Sequence, residues 1–284
     1  MRKSIFDIVK SNTDPASDAL RLDSMFREEK TLEIYDEQYT LEKYIDNYRF
    51  GMWKQRGHCL NVEDFLETLG YDTLRRSAAA NTESLFTLIE VIYNFWYLAD
   101  CDLNKPSNAM SMSWYGNFVH LKDVMDDVLK QYNQTAYFQE DSECVLVVED
   151  KPEVTAAAEI VPESLALSVI RYNHRLLHGN LNAKKSILLE FGRELEPRRK
   201  ELETLNKTLA ANIFFMLNNM NIRHNNQNIN DPSKYRKCIA DMDEHQLEEW
   251  YDELYQMTLL AFLLLDNVKR QESIEELKKK VMEK

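Results

Sequence analysis

Apolar residues recur every three or four positions along most of the chain, which is the spacing of one face of an α-helix. Residues 85–98 form the segment in which apolar side chains cover most of a helix circumference. Asn81, shortly before this segment, is a residue type that caps helix N-termini. We therefore predict a central, buried helix here. The same periodicity predicts further helices over residues 31–56, 114–132, 162–179, 197–222 and 243–270.

One stretch of the chain departs from this helical periodicity. Residues 143–149 form a run of β-branched side chains bounded by acids, a pattern that favours a strand. Residues 150–153 have the composition of a turn, and residues 154–161 can return as a second strand. The predicted fold class is therefore all-α, with one or two helical bundles and one small β-hairpin insertion.

The hairpin also divides the chain into regions. We predict an N-terminal helical region over residues 1–140, a hairpin connector over 141–161 and a C-terminal helical region over 162–284. The chain has only 6 Gly and 6 Pro among its 284 residues. Because tight turns depend on these two residue types, their scarcity supports long helices joined by few loops.

The net charge of −13 limits the functions that the sequence supports. A general nucleic-acid coat needs the opposite sign, since its affinity comes from neutralising phosphates. We therefore expect any contact with RNA to be local, in a basic pocket on an acidic body. The acidic surplus also argues against docking on an anionic membrane.

The cysteines and the termini bear on location and cofactors. Four scattered cysteines without zinc-ligand spacing fit a reducing cytosol. The first ten residues contain no long apolar region, and the apolar run 257–265 is too short to span a bilayer. The carboxylate-rich stretches 241–245 and 248–253 lack the Glu-x-x-His pairs of a di-metal bundle. We predict a cytoplasmic protein with no membrane contact, no metal and no cofactor.

The first polar cluster lies in the predicted helix 162–179. Arg171, His174, Arg175 and His178 stand at positions i, i+3, i+4 and i+7, so they would share one helix face. One interpretation is a solvated basic face near a helix C-terminus, where cations are favoured. The other is a phosphate site, because arginine clamps phosphate and histidine transfers protons near neutral pH.

The second polar cluster lies where the predicted helix 197–222 ends. Arg223 and His224 stand together there, surrounded by asparagines. Asparagine forms helices poorly, but it both donates and accepts hydrogen bonds. The cluster is therefore either a frayed cap with its loop, or a polar pocket in which Asn221 and Asn225 orient a ligand.

The first cluster resembles a known family motif. Arg171 and His178 are separated by a short spacer, Asn173 lies near the arginine, and Gly179 follows the histidine. This arrangement is similar to the signature of the HEPN superfamily, and the similarity covers about residues 162–270. It implies a helical bundle and a metal-independent ribonuclease of phage defence or toxin–antitoxin systems, working as a homodimer. RNA and a protein partner or antitoxin are the partners that the resemblance implies.

The resemblance also implies roles for individual residues. An arginine would hold the scissile phosphate and a histidine would act as general acid or base. The catalytic candidates are Arg171, His178, Arg223 and His224. The substrate-binding candidates are Asn173, His174, Arg175, Asn221 and Asn225. The alternative function is a non-catalytic helical module for protein interaction or regulation.

Overall fold

A computed structural model describes residues 14–105, 112–139 and 143–282. The chain divides into two compact units, Met1–Asp150 and Lys151–Lys284. Helices dominate both, with two small antiparallel sheets in the first, so the predicted mostly helical fold class is confirmed. No helix among these residues is both long and apolar enough to cross a bilayer.

The N-terminal unit is built around a central helix. Its helices are α1 (Pro15–Arg27), α2 (Leu41–Tyr48), α3 (Val62–Thr68), α4 (Tyr71–Ser77), α5 (Thr82–Leu103) and α6 (Gly116–Gln131). The predicted central helix is α5, which buries most of its side chains and begins at the cap Asn81, whose side chain accepts from the Glu83 N–H. Helix α6 matches the helix predicted over 114–132.

The helix predicted over residues 31–56 is wrong. Strands β1 (Leu32–Ile34) and β2 (Glu37–Tyr39) form a tight hairpin, and β3 (Met112–Trp114) pairs with the other edge of β1. Tyr35 and Asp36 turn the chain with positive φ angles, which a helix does not allow. Only α2 and two short 3₁₀ turns, Phe50–Met52 and Lys54–Arg56, are helical in this range.

The predicted β-hairpin is correct in one strand and wrong in the other. Strand β5 (Cys144–Glu149) pairs with β4 (Gln134–Gln139), which precedes it in the chain. The predicted return strand is instead helix α7 (Pro152–Ile160), because Pro152 occupies a first-turn position that suits proline. The Asn94 side chain on α5 bonds both the N–H and the carbonyl of Val145, which holds β5 on the central helix.

The C-terminal unit is a helical bundle. It contains α7, α8 (Glu163–Arg171), α9 (Leu181–Leu195), α10 (Arg199–Leu205), α11 (Lys207–Asn219), α12 (Lys237–Ala240) and α13 (Glu244–Met282). The helix predicted over 197–222 is two helices, divided at Asn206, which caps α11 by accepting from the Leu209 N–H at 3.0 Å. The helix predicted over 243–270 is α13, which continues to Met282 and packs against α7, α9, α10 and α11.

Candidate functional site

The first polar cluster is a turn, and the helical stripe predicted for it is wrong. Helix α8 ends at Arg171, and a 3₁₀ turn covers Arg175–Leu177. His174 has an extended backbone between them, and its Nδ1 accepts a hydrogen bond from the Leu176 N–H at 3.3 Å. Gly179 then has φ +73°, a conformation that glycine adopts without strain. The four predicted cations therefore do not share a helix face.

The side chains of this turn have separate environments. His174 is 4% exposed, and its Nε2 lies 3.4 Å from Arg175 Nη1. The Asn173 amide donates to the Tyr255 hydroxyl at 2.7 Å, and that hydroxyl donates to a backbone carbonyl. Arg171 and His178 are exposed to solvent. The turn therefore leaves one arginine and one histidine outward, while its other polar groups bond to the protein.

A buried lysine that the sequence did not single out anchors this turn. Lys184 on α9 is 3% exposed, and its Nζ lies 2.6 Å from Asp252 Oδ1 and 2.8 Å from Glu248 Oε1. The Tyr172 hydroxyl donates to the same Asp252 oxygen at 2.9 Å. The Gly179 N–H donates to Glu248 at 2.8 Å. Lys184 and the two carboxylates thus bind the turn and α9 to α13.

The electrostatics around Lys184 follow from these contacts. Burial alone would raise the pKa of Glu248, but hydrogen bonds from Lys184 and the Gly179 N–H, with the nearby His178, bring it below its ordinary value. Burial and the Asp252 carboxylate raise the pKa of the Tyr172 phenol, which stays neutral. His178 therefore lies near an ionised Glu248 carboxylate, and this negative charge repels a phosphodiester.

The second cluster is a structured loop after α11. Arg223 lies 2.5 Å from Glu196 in an ion pair, and it also donates to the Gly192 carbonyl and to Asn218. Its guanidinium lies 5.7 Å from the centre of the Phe214 ring. Arg223 therefore bonds to other residues of the protein, whereas the sequence pattern predicted that it would bind a phosphate.

Asn226 holds this loop from inside. It is fully buried, its Oδ1 accepts from the Asn221 N–H at 2.9 Å, and its Nδ2 donates to the Lys234 carbonyl at 2.7 Å. Asn221 has φ +58° and donates its amide to Gln227. Asn225 is exposed and accepts from the Gln227 N–H at 3.3 Å. These asparagines build a loop, and Asn221 also lines a cavity.

The predicted site residues therefore form two groups that differ in structure. His174 bonds within the turn, and Asn173 donates to Tyr255 on α13. Arg223 bonds to Glu196 and Gly192 at the C-terminal end of α9. His224 is half-buried in the same loop as Arg223. The Lys184 network was missed because Asp252, one of its partners, lies 68 positions further along the chain, and the sequence near Lys184 does not indicate this contact.

The N-terminal unit contains an arginine–histidine pair that the sequence pattern did not reveal. Arg21 Nη2 lies 3.0 Å from His120 Nε2 in a groove of about 670 Å³ between α1 and α6. Asp18, Asp123 and Asp127 line the same groove, and burial raises the pKa of Asp18. With these carboxylates around it, the pair does not make a basic pocket for phosphate.

Across residues 14–105, 112–139 and 143–282, no group of three or more His, Cys, Asp or Glu side chains is arranged to hold a metal ion. No family model, no curated protein and no solved structure matches the chain.

Proposed function

We propose that the C-terminal unit is a non-catalytic interaction module that self-associates through the solvent-facing side of α13. The observation that carries this proposal is an exposed apolar row on a 39-residue helix. Apolar residues recur along this helix in two series with an interval of seven residues. The first series is Trp250, Met257 and Leu264. The second is Leu260, Ile274 and Val281, with two intervals between Leu260 and Ile274. Such a repeat is the pattern by which helices pack together.

The exposure of this row supports an interface. Leu260 is 47% exposed and Ile274 is 49% exposed, while Trp250 and Val281 are exposed to a similar or greater degree. Met257 and Leu264 are partly buried. Polar residues, among them Glu253 and Asn267, interrupt the row, which suits a reversible contact better than a permanent core.

The charge along α13 favours a second copy of the chain in antiparallel orientation. Residues 244–253 contain five acids and no Lys or Arg, while residues 269–280 contain five bases and three acids. Antiparallel pairing places the acidic end of each helix over the basic end of its partner, whereas parallel pairing places like charges together. A two-fold axis near the middle of the helix then relates the copies.

We expect Leu260→Glu to weaken self-association of the full chain by at least about tenfold, because it places two like charges at the apolar centre of the contact. Sedimentation velocity over a range of concentrations measures this. The matched control is Leu20→Glu, because Leu20 is also an exposed leucine on a helix, at 59%, but belongs to the N-terminal unit. Equal association of wild type and Leu260→Glu would contradict the proposal.

A metal-independent ribonuclease of HEPN type is the second candidate function. The observation that favours it is the exposure of Arg171 and His178, which leaves both groups accessible to a ligand. Neither side chain forms a hydrogen bond or an ion pair with the residues that the structure describes. In this candidate, RNA is the substrate, Arg171 binds the phosphate and His178 transfers the proton.

Incubation of the purified chain with mixed RNA in EDTA separates the two candidates. The interaction module predicts intact RNA with wild type, His178→Ala and His224→Ala alike. Cleavage by wild type that His178→Ala or Arg171→Ala abolishes, while His58→Ala retains it, would establish the ribonuclease. His58→Ala is a suitable control because His58 is an exposed histidine of the N-terminal unit, outside both polar clusters.

A further inference from the structure

A cavity of about 240 Å³ lies in the C-terminal unit, where three elements meet. The first turns of α9 and α13 and the loop after α11 supply its lining. The polar lining residues are Asn182, Lys185, Asn221, Gln227, Glu244 and Tyr251. Its volume is somewhat below the usual range for drug-sized ligands, so it suits a smaller molecule.

Two polar groups at this cavity, one of them on the buried Tyr251, have no hydrogen-bond partner among the residues that the structure describes. Tyr251 is 1% exposed, and its hydroxyl forms no hydrogen bond within the part of the chain that the structure describes. Burial raises the pKa of this phenol to about 12, so it remains a neutral donor at physiological pH. The Oδ1 atom of Asn221 is buried and likewise without a hydrogen bond among the described residues. Buried polar groups are normally paired, so both are suited to bind a ligand.

The positive side of the cavity comes from Lys185 and a helix end. Lys185 is partly buried and forms no ion pair with any residue in the described ranges. Burial lowers the pKa of its ammonium group, and an anion beside it would offset that loss of hydration. The α9 N-terminus adds the positive end of a 15-residue helix dipole next to Asn182. Glu244 and the Asn221 oxygen supply acceptors in the same cavity.

We propose that this cavity binds a small organic anion that also carries hydrogen-bond donors, such as hydroxyl or ammonium groups. Its anionic group pairs with Lys185 and accepts from the Tyr251 hydroxyl. Its donor groups bond to the Asn221 oxygen and to the Glu244 carboxylate. Two kinds of ligand share this chemistry, an anionic group together with hydrogen-bond donors. They are a phosphate monoester with hydroxyl groups and an amino acid with its ammonium group. This site is independent of self-association through α13.

Ligand-observed NMR and calorimetry on the full chain test the site. The probes are glycerol 3-phosphate, L-serine and inorganic phosphate, which separate a hydroxylated phosphate ester, a zwitterion and a simple anion. We expect saturable binding of glycerol 3-phosphate or L-serine. Preferential binding of one of these two identifies the ligand class. If inorganic phosphate binds as tightly as glycerol 3-phosphate and L-serine, the cavity is a simple anion site. That result would overturn the proposal that the ligand must carry hydrogen-bond donors.

Two variants connect binding to the cavity. Lys185→Met keeps the alkyl stem and removes the charge, and we expect it to weaken binding by about tenfold. Tyr251→Phe removes only the hydroxyl, and we expect a loss of about fivefold. The matched control is Lys200→Met, an exposed lysine on α10 that leaves binding unchanged. No saturable binding of any probe, or equal binding by wild type and Lys185→Met, would overturn the proposal.

Discussion

Replacing Lys184 with methionine lowers the free energy of unfolding by about 3 kcal/mol, because the change leaves the partly buried carboxylates of Glu248 and Asp252 without their cation. Lys184 contacts Asp252 at 2.6 Å and Glu248 at 2.8 Å, and its Nζ lies 5.1 Å from the centre of the Tyr172 ring. Methionine keeps the apolar stem, so the loss reports on the charge and its hydrogen bonds. Chemical denaturation of the full chain, followed by circular dichroism, measures it.

The neighbouring Lys185 supplies the matched control for this prediction. It has no ion pair among the described residues, so Lys185→Met should change stability by less than about 1 kcal/mol. Asp252 is half-exposed and regains water when Lys184 is lost, which is why we expect the lower end of the range for buried ion pairs. A loss under about 1 kcal/mol for Lys184→Met would show that the network contributes little.

Asn226→Ala should destabilise the chain by about 3 kcal/mol. The fully buried amide of Asn226 satisfies the Asn221 N–H and the Lys234 carbonyl at 2.9 and 2.7 Å. Alanine leaves the Asn221 N–H and the Lys234 carbonyl without this buried partner, at about 1–3 kcal/mol for each group. The same denaturation experiment measures this loss.

Asn225 provides the comparison for Asn226 within the same loop. Asn225 is exposed, and its side chain makes one long hydrogen bond of 3.3 Å to the Gln227 N–H. We expect Asn225→Ala to cost less than about 0.5 kcal/mol, as is usual for surface changes. Similar losses for the two variants would mean that the buried amide does not hold the loop together.

Local signals allowed much of the helical architecture to be predicted from the sequence. Asn81 precedes an apolar, helix-periodic segment, and it caps α5 by accepting from the Glu83 N–H. The apolar residues of α5 cover its circumference, and the helix is central and buried. Caps and periodicity depend on residues within a few positions of each other, so the sequence reveals them directly.

Contacts between distant residues explain the failures in the fold. The tyrosines of residues 31–48 fit either a helix or strands, because the spacing of aromatic residues over a short run does not distinguish the periodicity of a helix from that of a strand. The strands form because β1 pairs with Met112–Trp114, about eighty positions away in the sequence. Likewise, β5 pairs with β4 and bonds to Asn94 on α5. The sequence near residue 145 contains no pattern that indicates either partner.

The candidate site could be predicted less well than the fold, for the same reason. The predicted stripe assumed an unbroken helix through Arg171 and His178, but His174 stops the helix by capping the next turn with its own imidazole. Lys184 meets Asp252 across 68 positions of sequence. The sequence did not reveal the ion pair of Arg223, because its partner Glu196 lies 27 positions earlier in the chain, at the C-terminal end of α9.

The molar mass of the wild-type chain in solution tests self-association through α13 most directly. Light scattering coupled to size-exclusion chromatography, over a wide range of concentrations, measures it without labels or variants. We predict a mass that approaches twice the 33.6 kDa of one chain as the concentration rises, and that falls with added salt because opposite charges meet across the contact. A mass of one chain at every concentration would contradict self-association through this helix.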